Sequence, residues 1–272
     1  PPAAPQAPPA LAPPKASALP AVPRVAPGAP CPSAEIVTTP LPAGRMRIAV
    51  KSACRAGEEV AFVYGGAAIV RKLDAAGLLA YEFDCFNGTG TPLEIGFADK
   101  TRRTIDIATQ DLDKVSKVTV IWRVPVNLDL HAFEYAAAHN EAGHIWAKTP
   151  SSLQAAREQS QAKKRGHGFL GVSDDGRTPG DKIEVYTFWH NEEQVSAAVG
   201  MALDFESRGD APNGEMCGAG THARVQYEVV VLSRGTPIRR QTQEFAPMDC
   251  GTRLTREVRY SQDTVPILRI RK

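Results

Sequence analysis

The run IWRVPVNLDLHAFEYAAAHNEAGHIW, residues 121–146, carries the pattern from which the fold of the whole chain is read. Val126, Leu128 and Leu130 alternate with Asn127, Asp129 and His131, the period of two that puts successive side chains on opposite faces of a strand. Pro125 has no backbone N–H to give a ladder, so it marks a bend or bulge in that strand rather than a central position.

The same alternation extends outward in both directions. Upstream, Met46, Ile48 and Val50 alternate with polar neighbours. So do Val60, Phe62 and Tyr64, then Tyr81, Phe83 and Cys85, then Leu93, Ile95 and Phe97. Gly65-Gly66, Gly77 and Asn87-Gly88 fall between these runs at turn positions. Short alternating runs with regular turns predict a small antiparallel β-sandwich, Ig-like or transthyretin-like, over residues 31–108. Residues 111–117 read as a polar joint. Downstream, KIEVYTFWH (182–190), AAVGMALDF (197–205), RVQYEVVVLS (224–233) and LTREVRYS (254–261) predict a second, larger sandwich over 118–272. VPILRIR (265–271) adds an edge strand.

One helix interrupts this second block. LQAAREQSQAKKR (153–165) contains no Gly or Pro, and Ser151 followed by Gln154 has capping-box spacing. Lys163, Lys164 and Arg165 crowd the end where the helix dipole favours cations, and Gly166 can terminate it. The fold class is therefore mainly β: two antiparallel β-sandwich domains, the second with a helix near 151–165.

Residues 1–30 hold eleven prolines and ten alanines, with only Lys15 and Arg24 charged. Such a segment has few backbone donors and nothing to pack, so it reads as an extended, disordered tether. At about 3.1 Å per residue it spans roughly 90 Å. The start at Pro1 reads as a processed or truncated product whose signal peptide or anchor is gone.

The formal charge of +2 argues against nucleic acid as a partner. Within these residues, no apolar run is long enough for a transmembrane helix. Five cysteines without C-x-x-C spacing exclude a zinc ribbon or thioredoxin motif. Pairing within each half predicts Cys54–Cys85 and Cys217–Cys250, with Cys31 spare, in an oxidising compartment. The expected location is periplasmic or extracellular.

Asn127, Asp129 and His131 share one strand face but lie roughly 6.5–7 Å apart in sequence, so a loop must complete any site they form. The stretch from Gly166 to Asp181 offers hard oxygen donors, and Asp129, Asp174, Asp175 and Asp181 with His131 are calcium candidates. Alternatively, His131, His144 and His167 with Asp129 hold zinc. Any half-buried strand would show the same alternation, and Asp-Asp-Gly is also an ordinary turn. Further ligand-binding candidates are Asn127, His144, Trp146, His167 and Trp189; the aromatic strand YTFWH (186–190) would supply a sugar-stacking platform. No Gly-x-Ser-x-Gly, His-Glu-x-x-His, P-loop or dinucleotide fingerprint is present.

NLDLH followed by DDGRTPGDKIEV resembles the bacterial β-sandwich domain of exported proteins of the YfaP type. Asp129, Leu130 and His131 match its Asp-x-Asp-Leu-His strand, with Asn127 where the first Asp would stand. Asp174 and Asp175 match its acidic loop, while Gly180-Asp181-Lys182 departs from its Gly-Pro-Glu. The resemblance covers 118–205 and implies a β-sandwich and export, without an established reaction. The resulting expectation is a non-enzymatic cell-envelope binding or scaffolding protein, with calcium as the candidate cofactor. The alternatives are a glycan- or peptidoglycan-binding module, a remote hydrolase, or an oligomerising subunit of an envelope assembly.

Overall fold

The computed structural model describes residues 31–123, 127–172, 180–194, 196–206, 222–250, 258–259 and 267–271. The Pro/Ala-rich segment 1–30 lies outside them. The architecture is mainly β, built of antiparallel sheets, as the alternation requires.

The first strands are β1 (Glu35–Leu41), β2 (Arg45–Lys51), β3 (Glu59–Tyr64), β4 (Ala67–Lys72), β5 (Leu78–Asp84), β6 (Leu93–Phe97) and β7 (Arg102–Ile105). They form two sheets, β1-β2-β5 and β4-β3-β6-β7. The alternating residues read from the sequence are the core: Met46, Ile48, Val50, Val60, Phe62, Tyr64, Leu93 and Ile95 share one buried cluster. Gly65 and Gly66 turn β3 into β4 with φ of 53° and 87°, the left-handed pair that a two-residue hairpin needs.

The second set is β8 (Val115–Arg123), β9 (Asn127–Glu134), β10 (His144–Ile145), α1 (Leu153–Lys163), β11 (His167–Val172), β12 (Asp181–Trp189), β13 (Ser196–Glu206), β14 (His222–Ser233), β15 (Thr236–Asp249), β16 (Val258–Arg259) and β17 (Leu268–Arg271). One sheet runs β11-β12-β8-β14-β15; the other runs β10-β9-β13-β16, with β17 also on β13. Val118, Val120, Leu128, Leu130, Tyr186, Phe188, Met201 and Leu203 belong to the core between them.

β8 is buried from Val115 to Trp122, and β12 from Lys182 to Phe188. Strands covered on both faces lose the half-polar pattern of a surface strand. One face of these strands supplies Val118, Val120, Tyr186 and Phe188 to the second core. The other supplies Ile121, Ile183 and Val185 to the first core, which therefore continues across the junction. β8 accordingly starts at Val115, inside the stretch expected to be a polar joint. Lys117 is fully buried there because Nζ donates to Asp84 Oδ1 at 2.6 Å and to the Gly44 carbonyl at 3.0 Å. A buried ammonium is tolerated only with such partners.

The disulfide pairing differs from the expectation. Cys31 bonds to Cys54, with Cα atoms 5.8 Å apart, and Cys85 is a free, buried thiol. Cys85 is oriented into the first core at 0% exposure, whereas Cys54 sits in a short 3-10 turn, Ala53–Arg55, near the start of the described chain. Cys250 is disulfide-bonded, and Cys217 lies outside the described residues. No helix among the described residues is long and apolar enough to cross a membrane.

Candidate functional site

Side chains of β9 divide between two environments. Leu128, Leu130 and Ala132 enter the second core, and Glu134, of the same parity, ends that row. Glu134 is 1% exposed and its carboxylate is fully engaged. Oε1 accepts from the Tyr186 hydroxyl at 2.7 Å and from the Gly168 N–H at 2.6 Å. Oε2 is hydrogen-bonded to His167 Nδ1. Gly168 makes this approach possible: a Cβ there would lie 2.4 Å from the Tyr186 ring. Burial, and then the Glu134 charge, holds the Tyr186 hydroxyl well above its ordinary pKa, so it remains a donor.

A carboxylate facing Nδ1 fixes the imidazole tautomer: Nδ1 carries the proton and Nε2 presents a lone pair. That lone pair faces Ser151, whose Oγ stands 3.5 Å from His167 Nε2. The capping box placed Ser151 as the helix cap; the structure corrects it by one residue. Ser152 has extended backbone and accepts from the Ala155 N–H at 3.1 Å, which leaves the Ser151 hydroxyl uncommitted to the helix. Ser151 has φ +60°, a left-handed conformation that costs a non-glycine residue strain. The neighbouring Pro150 carbonyl, bonded to Leu170 N–H at 2.8 Å, pins this turn to β11. The helix ends on Lys164 in the left-handed conformation, two residues before the expected Gly166.

Ser151 and His167 line a cleft of about 810 Å³, whose far wall is the loop between β9 and β10. Lys163 and Arg165 stand at its rim, the latter with its guanidinium 3.9 Å from the Tyr135 ring centroid. Ser151 also borders a second cleft, of about 710 Å³, shared with Arg45, Glu82 and Arg157. Ser151 thus lines both clefts.

On the other face of β9 lie Asp129, His131 and Phe133. Asp129 pairs in register with Asp204 of β13, and Asn127 opens the strand opposite Glu206. His131 is 1% exposed, with Nδ1 2.8 Å from Nε2 of His144 and Nε2 3.3 Å from Asp204 Oδ2. Trp146 stacks on both rings, at 4.6 and 5.3 Å between centroids. The strand pattern therefore brings His131, His144 and Trp146 together. It does not bring His167, which β11 delivers to Glu134 instead.

Other candidates have different roles. The Asp181 oxygens accept from Arg123 Nε at 2.7 Å and from the Ala68 N–H at 2.8 Å, which ties β12 to β4. Asp174 and Asp175 lie outside the described residues. The aromatic strand is no platform: Tyr186 and Phe188 are at 0% exposure in the core. Trp189 packs beside Ala156 of α1, with the Arg157 guanidinium 4.3 Å from its ring centroid. Ser151 was missed as a site residue because its spacing to Gln154 reads first as a cap. Glu134 has no spacing signal that separates it from the other acidic residues of the chain.

No protein-family model matches the chain, and no curated protein is significantly similar to it.

Proposed function

We propose that the protein is an exported hydrolase that cleaves an ester or amide through an acyl-serine, with Ser151 as nucleophile, His167 as general base and Glu134 as the orienting carboxylate. One observation carries the reading: Ser151, His167 and Glu134 stand in a single line of contacts at the edge of a cleft. The three residue types and their order match the nucleophile–base–orienter logic of serine hydrolases. As Ser151 Oγ attacks the substrate carbonyl carbon, its proton passes to His167 Nε2, and the imidazolium is stabilised by Glu134. His167 then returns that proton to the leaving group, and a water, deprotonated the same way, releases the acid and regenerates Ser151. The N-terminus of α1 begins two residues beyond Ser151, and its positive dipole end favours the oxyanion of the tetrahedral intermediate. The two clefts that Ser151 lines would give room for acyl and leaving groups. The Cys31–Cys54 bond supports an oxidising compartment.

A second reading is a non-catalytic envelope-binding module, favoured by the exposed Lys163 and Arg165 at the cleft rim, which suit an anionic ligand group. A fluorophosphonate probe separates the two. The hydrolase reading expects one adduct per chain, mapped to Ser151, absent in Ser151→Ala and slowed at least about 100-fold in His167→Ala. No adduct on native protein, or equal rates in His167→Ala, overturns it. Retention of that unlabelled protein on a peptidoglycan column then favours the binding module.

A further inference from the structure

Three histidines converge on the face of β9 opposite Glu134. His131 comes from β9, and His144 from β10, where it pairs in register with Phe133. His139 reaches in from the loop between them, its ring centroid 4.6 Å from that of His144 and 5.6 Å from that of His131. One ring nitrogen from each of the three lies within 4.8 Å of the other two. His131 and His144 are 1% and 2% exposed, under the rings of Trp146 and Phe133.

The hydrogen bonds define the protons. The Asn140 N–H donates to His144 Nδ1 at 3.0 Å, so that nitrogen is unprotonated and His144 Nε2 carries the hydrogen. His144 Nε2 then donates to His131 Nδ1 at 2.8 Å, which leaves the His131 proton on Nε2, on the side of the Asp204 carboxylate. His131 Nε2 nevertheless makes no hydrogen bond of ordinary geometry. A buried imidazole with Nδ1 turned into a histidine cluster and Nε2–H turned toward a carboxylate has the arrangement of a metal ligand with its outer-shell partner.

We propose that His131, His139 and His144 bind one divalent transition ion of the zinc class, each through one imidazole nitrogen, with Asp204 orienting His131 and a fourth position left for water. Nitrogen donors select zinc, cobalt, nickel or copper over calcium, which takes oxygen. At about 2.0–2.1 Å from a tetrahedral ion, two imidazole nitrogens stand roughly 3.3 Å apart. The His131–His144 separation must therefore open by about half an ångström as the ion replaces the shared proton. The proton on His144 Nε2 moves to Nδ1, and Asn140, adjacent to His139, gives up its bond as the loop closes. That loop holds Tyr135, Ala136 and Asn140 at positive φ. It also walls the cleft beside Ser151, so the ion would tie β9, β10 and the cleft wall into one unit. The site does not depend on the hydrolase reading.

The test uses the whole chain, stripped with chelator and titrated separately with Zn²⁺, Co²⁺ and Ca²⁺. The expected result is one Zn²⁺ per chain, a melting-point rise of about 5–10 °C at roughly 100 times the dissociation constant, and the visible absorption of four-coordinate Co²⁺. Ca²⁺ should give none of these. His139→Ala removes a half-buried loop side chain and should weaken Zn²⁺ binding at least about tenfold, while His167→Ala should not. Absence of a Zn²⁺ response in the parent, or an undiminished response in His139→Ala, overturns the site.

Discussion

Ser151 Oγ is within 3.5 Å of His167 Nε2, although α1 separates the two residues in sequence. The approach is possible because Ser152 takes the capping role and β11 returns antiparallel to β12, bringing His167 opposite Trp189. Helix, strand and turn each have a local cause; the pairing of the two side chains does not.

Glu134→Gln tests what orients His167. The amide oxygen can still accept from Tyr186 and Gly168, but its NH₂ then faces His167 Nδ1 and favours the tautomer with the proton on Nε2. That nitrogen can no longer take the Ser151 proton. Fluorophosphonate labelling of Ser151 should slow by about 10²–10⁴-fold. Circular dichroism should be unchanged, and Ser151 labelled at the parent rate would remove Glu134 from the mechanism.

Adjacent serines should respond in opposite directions. Ser152→Ala deletes the α1 cap and should cost about 1 kcal/mol, or roughly 2–4 °C in melting point for a chain of this size. Ser151→Gly relieves a positive φ and should stabilise the fold by up to about 1 kcal/mol while abolishing probe labelling. A stabilising change that destroys reactivity marks strain retained for function. Thermal melts of the two variants provide the check, and a destabilised Ser151→Gly would assign Ser151 a structural role.

The pH dependence of stability follows from two buried groups. Burial, opposed by a hydrogen bond from the Leu130 N–H and reinforced by Asp129, pushes the Glu184 carboxyl up to about 8. From about 4.5 to 8 the folded chain holds a proton that the unfolded chain has released, so this group's contribution falls as pH rises. Burial, aided by Arg234, lowers His190 to about 4. Between about 4 and 6.5 the unfolded chain holds the extra proton, so this contribution rises with pH. The two slopes oppose each other up to about 6.5, and only that of Glu184 remains from there to about 8. Melting points measured from pH 4 to 9 should decline across that upper interval. Glu184→Gln, which keeps an acceptor for Leu130, should remove the decline, and curves of the same shape for both proteins would refute the assignment.

Much of the fold was legible in the strands because a period of two is a local property. Met46, Ile48 and Val50 had only to alternate with polar neighbours to be read as core, and they are core. The helix was legible for the same reason, apart from its cap, where two adjacent serines offered equivalent chemistry. Lys117 was not legible. A lysine beside Ser116 reads as surface until Asp84, from another sheet, is placed against it. Tyr186 and Phe188 read first as core but also as a sugar platform, because alternation does not say whether a second sheet covers the face. Cys54 has two plausible partners in its half of the chain, and only the inward orientation of Cys85 separates them.

The residue pattern thus specified where strands form and which side chains turn inward, since both follow from neighbours one or two positions away. It also singled out His131, on a strand rich in polar positions, and His144 beside Trp146. Tertiary packing decided the rest. The β11–β12 pairing carried His167 away from those histidines to Glu134, and the loop after β9 supplied His139 in its place. Side-chain convergence depends on register and on which sheets stack, and these are settled by contacts between residues tens of positions apart, beyond the reach of any local period.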